Sequence, residues 1–363
     1  MGCATLAAMD QRPLQPILCA WPHLDDGDGP QPAESLLVSR LSGGLINDTY
    51  ALGRRFILQR LHPIFLAEVN LDIAALTPQL AAAGVPVPRL VLARSGQPWH
   101  AVMDAQTAEA ARGVWRILTR LPGETRHRLD SPSQAEAAGQ MVARFHTALR
   151  SCDHTFHFSR PGAHDTPAHL ATLAQAVASC RDHPLHADVA ALAEELQARW
   201  TAWGPVPELP QRIIHGDLKV SNLLFEGDAV CGVLDLDTMA RSSLDIELGD
   251  ALRSWCNRTT EDDPAPAFDL DTFAAAWRGY RSVAADWLTA GEQQSIPLAI
   301  ERICLELSAR FAADALYERY FGWDSQRYAT RGAHNWARAC NQLGLARDVH
   351  RWRAPMCKIV SDA

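Results

Sequence analysis

The sequence lacks any paired spacing of cysteines. Nine are scattered between Cys3 and Cys357 with no C-x-x-C pair, which argues against a disulfide framework and suits free thiols in a reducing cytoplasm. Cys152, His154, His157, His164 and His169 crowd together, but their spacing fits no common zinc pattern, so no zinc site is expected. There is no basic run and the formal net charge is −8, so no nucleic-acid partner is expected. No stretch approaches the ~20 apolar residues of a membrane helix. Residues 1–16 carry no sustained apolar run of the secretory-leader kind, and Leu6 stands where a myristoylation signal wants Ser or Thr. Internal repeats and low-complexity tracts are absent as well. What remains is a chain of 363 residues, 47% hydrophobic, able to bury a sizeable core as two lobes. It is expected to be cytoplasmic, without a membrane partner, and a monomer or weak homodimer.

The informative stretch is Ile214-His215-Gly216-Asp217-Leu218-Lys219-Val220-Ser221-Asn222, followed by Val233-Leu234-Asp235-Leu236-Asp237. His-x-Asp-x4-Asn, with a carboxylate at the end of the next apolar run, is the polar core of a kinase site. Phosphoryl transfer needs one carboxylate to orient the attacking hydroxyl and take its proton, and oxygen ligands to hold magnesium on the triphosphate. Asp217 suits the first task; Asn222 and Asp235 suit the second. Lys219, two residues after the base, is a candidate to lie against the transferred phosphate.

Upstream, three short strands are expected over 35–41, 45–52 and 55–61, separated by Ser42-Gly43-Gly44 and by a turn at Gly53-Arg54. Gly43 and Gly44 allow close backbone approach to an anion, as a phosphate-covering hairpin requires, though an ordinary hairpin also uses them. Arg60 ends the third strand, where a kinase places a phosphate-binding cation; an arginine would bind by a planar fork. A helix over 66–83, stopped by Gly84, offers Glu68 or Asp72 as its partner, with Glu68 preferred. Strand-like runs at 89–93, 99–103 and 113–121 follow. An adenine hinge would use backbone groups around 119–123, including Leu121. The sheet-rich segment then gives way to helices, so the expected lobes are 1–119 for nucleotide and 120–363 for catalysis and acceptor.

The second lobe opens with Ser131-Pro132-Ser133-Gln134, a helix start with a cap and a proline in the first turn. More helix is expected over 184–203. A strand at 212–214 delivers the His215–Asn222 loop, and a hairpin of 223–225 with 230–236 returns Asp235 towards Asn222. On that strand Asp237 would share a face with Asp235, as a second carboxylate near the metal or the substrate. Helices are expected over 247–255, 270–288, 292–320 and 333–349. The fold class is therefore α+β, a two-lobed protein-kinase-like fold with a small antiparallel sheet lobe and a larger helical lobe.

At Asp217, Asn222 and Asp235 the chain resembles the aminoglycoside phosphotransferase/choline kinase-like branch of the protein-kinase fold. Within it, the resemblance is closer to bacterial N-acetylhexosamine 1-kinases. Asn47-Asp48-Thr49-Tyr50, Leu58-Gln59-Arg60, Trp115-Arg116, His164-Asp165-Thr166-Pro167, Asp235-Leu236-Asp237-Thr238 and His334-Asn335-Trp336-Ala337-Arg338-Ala339 carry it. The resemblance implies an ATP- and magnesium-dependent kinase acting on the anomeric hydroxyl of N-acetylglucosamine or N-acetylgalactosamine. Asp217 would be the base, Asn222 and Asp235 the metal ligands, and Arg60 the phosphate contact. Glu247 departs from an Asp-x-Gly-Asp pattern, and Trp336 replaces a smaller apolar residue.

For the acceptor, Glu306, Arg310 and Asp314 recur on one helix face, near the flat surfaces of Tyr317, Tyr320, Phe321 and Trp336. From the sequence alone that set reads better as an ion-paired solvated face with core aromatics; the resemblance raises Arg310 and Tyr320 as sugar contacts. Other acceptors (an aminoglycoside, choline or homoserine) stay open, as does a non-catalytic nucleotide-binding protein.

Overall fold

Two-residue periodicity builds the amino-terminal part of the molecule. The structure, a computed structural model, describes residues 14–41, 46–104, 106–160 and 162–362; Gly43 and Gly44 lie outside them. The chain divides into two compact units. The first runs to Pro122 and includes Asp153–Ser159 and Gly232–Asp237; the second holds Gly123–Cys152, Arg160–Cys231 and the chain from Thr238.

In the first unit, a helical turn α1 (Gln15–Leu18) and the paired strands β1 (Leu24–Asp25) and β2 (Pro30–Gln31) precede the main sheet. That sheet is antiparallel throughout. It comprises β3 (Val38–Arg40), β4 (Asp48–Leu52), β5 (Phe56–Leu61), β6 (Leu90–Val91), β7 (His100–Val102) and β8 (Gly113–Thr119). Its order is β3-β4-β5-β8-β6, with β7 also on β8. One face buries Tyr50, Leu52, Leu58, Trp115 and Ile117 with Leu18 and Trp21. The opposite face receives helix α2 (Val69–Ala82), through Leu61, Val69, Phe65 and Phe158. The β4–β5 pairing couples Leu52 with Phe56 and Asp48 with Arg60. Three residues therefore form the turn where the sequence suggests two, and every cross-strand partner shifts by one.

The second unit holds β9 (Glu124–Thr125), α3 (Pro132–Leu149), α4 (Thr166–Ser179), α5 (His186–Trp203), β10 (Arg212–Ile214), β11 (Leu223–Glu226) and most of β12 (Ala229–Val233). It continues with β13 (Ala240–Ser242), α6 (Leu244–Trp255), α7 (Leu270–Ala284), α8 (Ala290–Tyr317) and α9 (Arg331–Asp362). Ser131 caps α3 by accepting from Gln134 N at 3.2 Å, as the sequence predicts. Helix α4 is not anticipated, although Asp165-Thr166-Pro167 is a start signal: Asp165 accepts from Ala168 N at 3.0 Å. Helix α8 stops at Tyr317 because the Asp314 carboxylate takes the amides of Arg319, Tyr320 and Phe321, at 3.0, 2.9 and 2.8 Å. Among the described residues no helix is long and apolar enough to cross a membrane.

Candidate active site

The loop at 215–222 is short, polar and largely buried, so its backbone needs partners within the protein. Strands β10 and β13 pair on either side of it, Ile214 opposite Ala240. Gly216 is in the left-handed region (φ 82°), and a Cβ there would lie 2.5 Å from the Thr238 carbonyl oxygen; only glycine fits. Thr238 Oγ1 in turn donates to His215 O at 2.8 Å.

Helix α6 backs the loop along one face. Glu247 accepts from His215 N at 2.7 Å and from Gly216 N at 2.8 Å. About two turns on, Ser254 Oγ accepts from Val220 N at 3.2 Å and Trp255 Nε1 donates to Leu218 O at 2.8 Å. Behind Glu247, His146 bridges to it at 3.1 Å and to the Tyr280 hydroxyl at 2.9 Å. Burial works to raise the Glu247 carboxyl, but His146, with the His215 amide and ring, holds it below its ordinary value. Glu247 thus carries the loop backbone by accepting from two successive amides, a task invisible without the tertiary fold.

Within the loop, Lys219 Nζ donates to Asp217 Oδ2 at 2.6 Å. Asn222 Nδ2 donates to the Asp217 carbonyl at 2.6 Å and to its Oδ2 at 3.0 Å. Burial pushes the Asp217 carboxyl up, yet the adjacent Lys219 ammonium, with His215 and Arg253, brings it below the ordinary carboxylate value. It is therefore ionised at neutral pH, as an acceptor of a hydroxyl proton must be. Lys219 is one of only two lysines in the chain. Arg253 is anchored to Asp250 at 2.9 Å and to Glu261 at 3.1 Å.

In the first unit, strand β12 ends at Val233, and Leu236–Thr238 is a single 3-10 turn. The strand predicted to reach Leu236 is shorter, so Asp235 and Asp237 do not share a strand face. Asp235 has φ 61°, a left-handed conformation that aspartate tolerates better than most residues. Asp237 is fully buried and accepts from Arg116 Nη1 at 2.6 Å, Arg116 Nη2 at 2.8 Å and Asn47 Nδ2 at 2.7 Å. Its oxygens are committed inside the unit, which corrects the expectation of a substrate carboxylate. Arg116 also donates to Gln59 Oε1 and to Asn70 Oδ1, at 2.8 and 3.1 Å.

Arg60 faces away from that cluster, because neighbouring residues of a strand alternate between faces. Its guanidinium is taken by Asp48, from Nε at 2.8 Å and from Nη2, and lies 6.0 Å over the Trp115 ring. The partner is thus Asp48 rather than Glu68, which is exposed at the start of α2. Asp72 is also engaged elsewhere: its Oδ1 receives His154 Nε2 and His157 Nδ1, at 2.9 and 2.8 Å, and its Oδ2 receives Phe158 N at 3.1 Å. Leu121 is half-buried just past β8, next to the last residue of its segment.

The acceptor candidates lie in the second unit. Arg310 is within 4.0 Å of Glu306 and 5.7 Å over the Phe321 ring. Tyr320 is exposed, with its hydroxyl accepting from Arg160 Nη2 at 2.8 Å. Glu306 and Asp314 are not a solvated face: Glu306 is fully buried against His164 and Thr166, and Asp314 holds the loop after α8.

A small antiparallel-sheet unit, a larger helical unit and an Asp-Lys-Asn loop backed by a buried helix are the parts of a kinase-like phosphotransferase. Residues 38–287 match the phosphotransferase enzyme family, and the chain belongs to it. It is 32% identical to a homoserine kinase of Methylocella silvestris over 61% of this chain and 62% of that protein, short of two thirds of its length. It is 28% identical to a homoserine kinase of Gluconobacter oxydans, over 66% and 68%. Among solved structures it is similar to an amicoumacin kinase in complex with AMP-PNP, Ca2+ and Ami (TM-score 0.60, 15% identity, 94% of this chain and 96% of that one). It is also similar to a microcompartment-associated aminopropanol kinase (TM-score 0.56, 18% identity, 89% and 94%). These relatives support the kinase class and the superfamily; none of them carries the narrower N-acetylhexosamine expectation.

Proposed function

We propose that the protein is an ATP- and magnesium-dependent kinase that phosphorylates the hydroxyl of a small amino-acid-like acceptor of the homoserine type. The observation that carries the acceptor is the sequence similarity to homoserine kinases, in a chain whose Asp217–Lys219–Asn222 loop is intact. In this reading Asp217 orients the hydroxyl and takes its proton late in the transfer. Lys219 steers and neutralises charge on the transferred group. Asn222 spends its nitrogen on Asp217, which leaves its oxygen as a ligand atom, and Asp235 supplies a carboxylate. Oxygen donors of this kind fit a hard cation such as Mg2+, which when bound shields the triphosphate charge. Gly43, Gly44 and Leu121 are the proposed nucleotide contacts.

An assay coupled to ADP release, run over homoserine, choline, aminoglycosides and N-acetylhexosamines, tests this. Homoserine is expected to be the best acceptor; no turnover of it at millimolar concentration would overturn the reading. Asp217→Asn should lower turnover by about a thousandfold or more while magnesium–ATP binding persists. The second reading, an N-acetylhexosamine 1-kinase, draws on the exposed Tyr320 ring and the Phe321 face beside arginines, surfaces that suit a sugar. Phosphorus NMR of the product separates the two, as a sugar 1-phosphate or a primary phosphate ester.

A further inference from the structure

Two arginines of the second unit carry more donors than their surroundings use. Arg338 of α9 is only 8% exposed, yet it forms no ion pair among the described residues. One of its nitrogens is occupied: Nη1 donates to Gly322 O at 2.8 Å and to Asn335 Oδ1 at 3.2 Å. The remaining N–H groups have no hydrogen-bond partner among the described residues, and they are not sealed in the interior either. Burial pulls the Arg338 guanidinium below its ordinary value, more than Glu261, Asp262 and Asp314 hold it up. Arg310 of α8 makes no hydrogen bond among the described residues; its one charge partner, Glu306, is 4.0 Å away and already accepts from His164 and Thr166.

Both guanidinium groups rest on aromatic rings. Arg338 lies 5.5 Å from the Phe311 centroid and Arg310 5.7 Å from that of Phe321, and these rings are 4.5 Å apart. Asn335 ties the pair into the fold, donating to Asp314 Oδ2 at 2.9 Å while accepting from Arg338. A buried guanidinium whose N–H groups are not all used is costly, and arginines resting on aromatic rings with open forks match a planar carboxylate.

We infer that Arg338 and Arg310 form a clasp for the carboxylate of the acceptor, so that the substrate is a hydroxylated amino acid and not a neutral sugar or simple amino alcohol. The inference rests on the proposed kinase reading and names the part of the acceptor that the site selects.

Calorimetry on the full chain in the Asp217→Asn background, which needs no turnover, compares homoserine with 3-amino-1-propanol, the same molecule without its carboxylate. Homoserine should bind more tightly by about tenfold or more, and Arg338→Gln should abolish that margin. Arg338→Gln loses the Nη1 bond to Gly322, so its melting temperature is measured beside its binding; Arg310→Gln, which removes no hydrogen bond among the described residues, serves as the second variant and should abolish the same margin. Equal binding of the two ligands before substitution, or an equal loss of both on substitution, would overturn the clasp. Failure of the kinase reading looks different: the unsubstituted chain would turn over no hydroxyl acceptor, whatever the binding margin.

Discussion

At the scale of residues, the buried carboxylates divide the labour of the site. Glu247 holds the loop backbone, Asp217 stays ionised beside Lys219, and Asp237 is locked to Arg116. The last pair is almost fully buried, with side chains 3% and 0% exposed. It also sits two residues from Asp235, so the clamp on Asp237 helps fix the proposed metal ligand. Removing one partner leaves a buried, uncompensated charge. Arg116→Ala is therefore expected to cost about 3–5 kcal/mol in urea denaturation. Arg116→Met combined with Asp237→Leu should recover part of that loss, and a single variant as stable as the parent would refute the account. Sequence reasoning gave Arg60 a role at the site and gave Arg116 none. Both are arginines on strands, and only the sheet register shows that Arg60 meets Asp48 while Arg116 meets Asp237.

Among elements, α6 is the support of the loop and α9 fastens the helical unit. Glu195 on α5 accepts from Arg199 one turn on and from Arg347 of α9, whose Nε lies 2.8 Å from Oε1. The Arg347 hydrogen bond is the main cause that holds the Glu195 carboxyl down to about 2, against burial, with Arg199 adding to it. The folded value lies below the unfolded one, so between them the unfolded chain binds more protons. The stability from this pair is complete above about pH 4.5 and is lost as the pH falls towards about 2. Glu195→Gln should flatten the fall of melting temperature over that window. An unchanged slope would show that the partly exposed pair is screened by solvent and contributes little. Helix α9 itself was legible only in its first half, 333–349. Its continuation to Asp362 contains Pro355 and little apolar periodicity, so packing of Met356 and Val360 decides it.

For the molecule as a whole, chelation offers the broadest check. If the proposed transfer uses magnesium, excess EDTA should remove turnover completely, with Mg2+ restoring it. Activity that survives chelation would exclude a magnesium-bound transfer. The amino-acid sequence by itself determined the α+β class, the strand-rich first part, the helical second part and the Asp217–Asn222 loop. These are local: a two-residue or four-residue period, a capping residue or a fixed spacing is written in neighbouring residues. It did not determine which charges meet. The three-residue turn at 53–55 set Asp48 against Arg60, α6 brought Glu247 under the loop, and α8 with α9 left Arg310 and Arg338 on the Phe311–Phe321 rings. Those pairings join residues far apart in the chain, and a one-residue change of register or a turn of helix reassigns them. Only the tertiary structure could decide them.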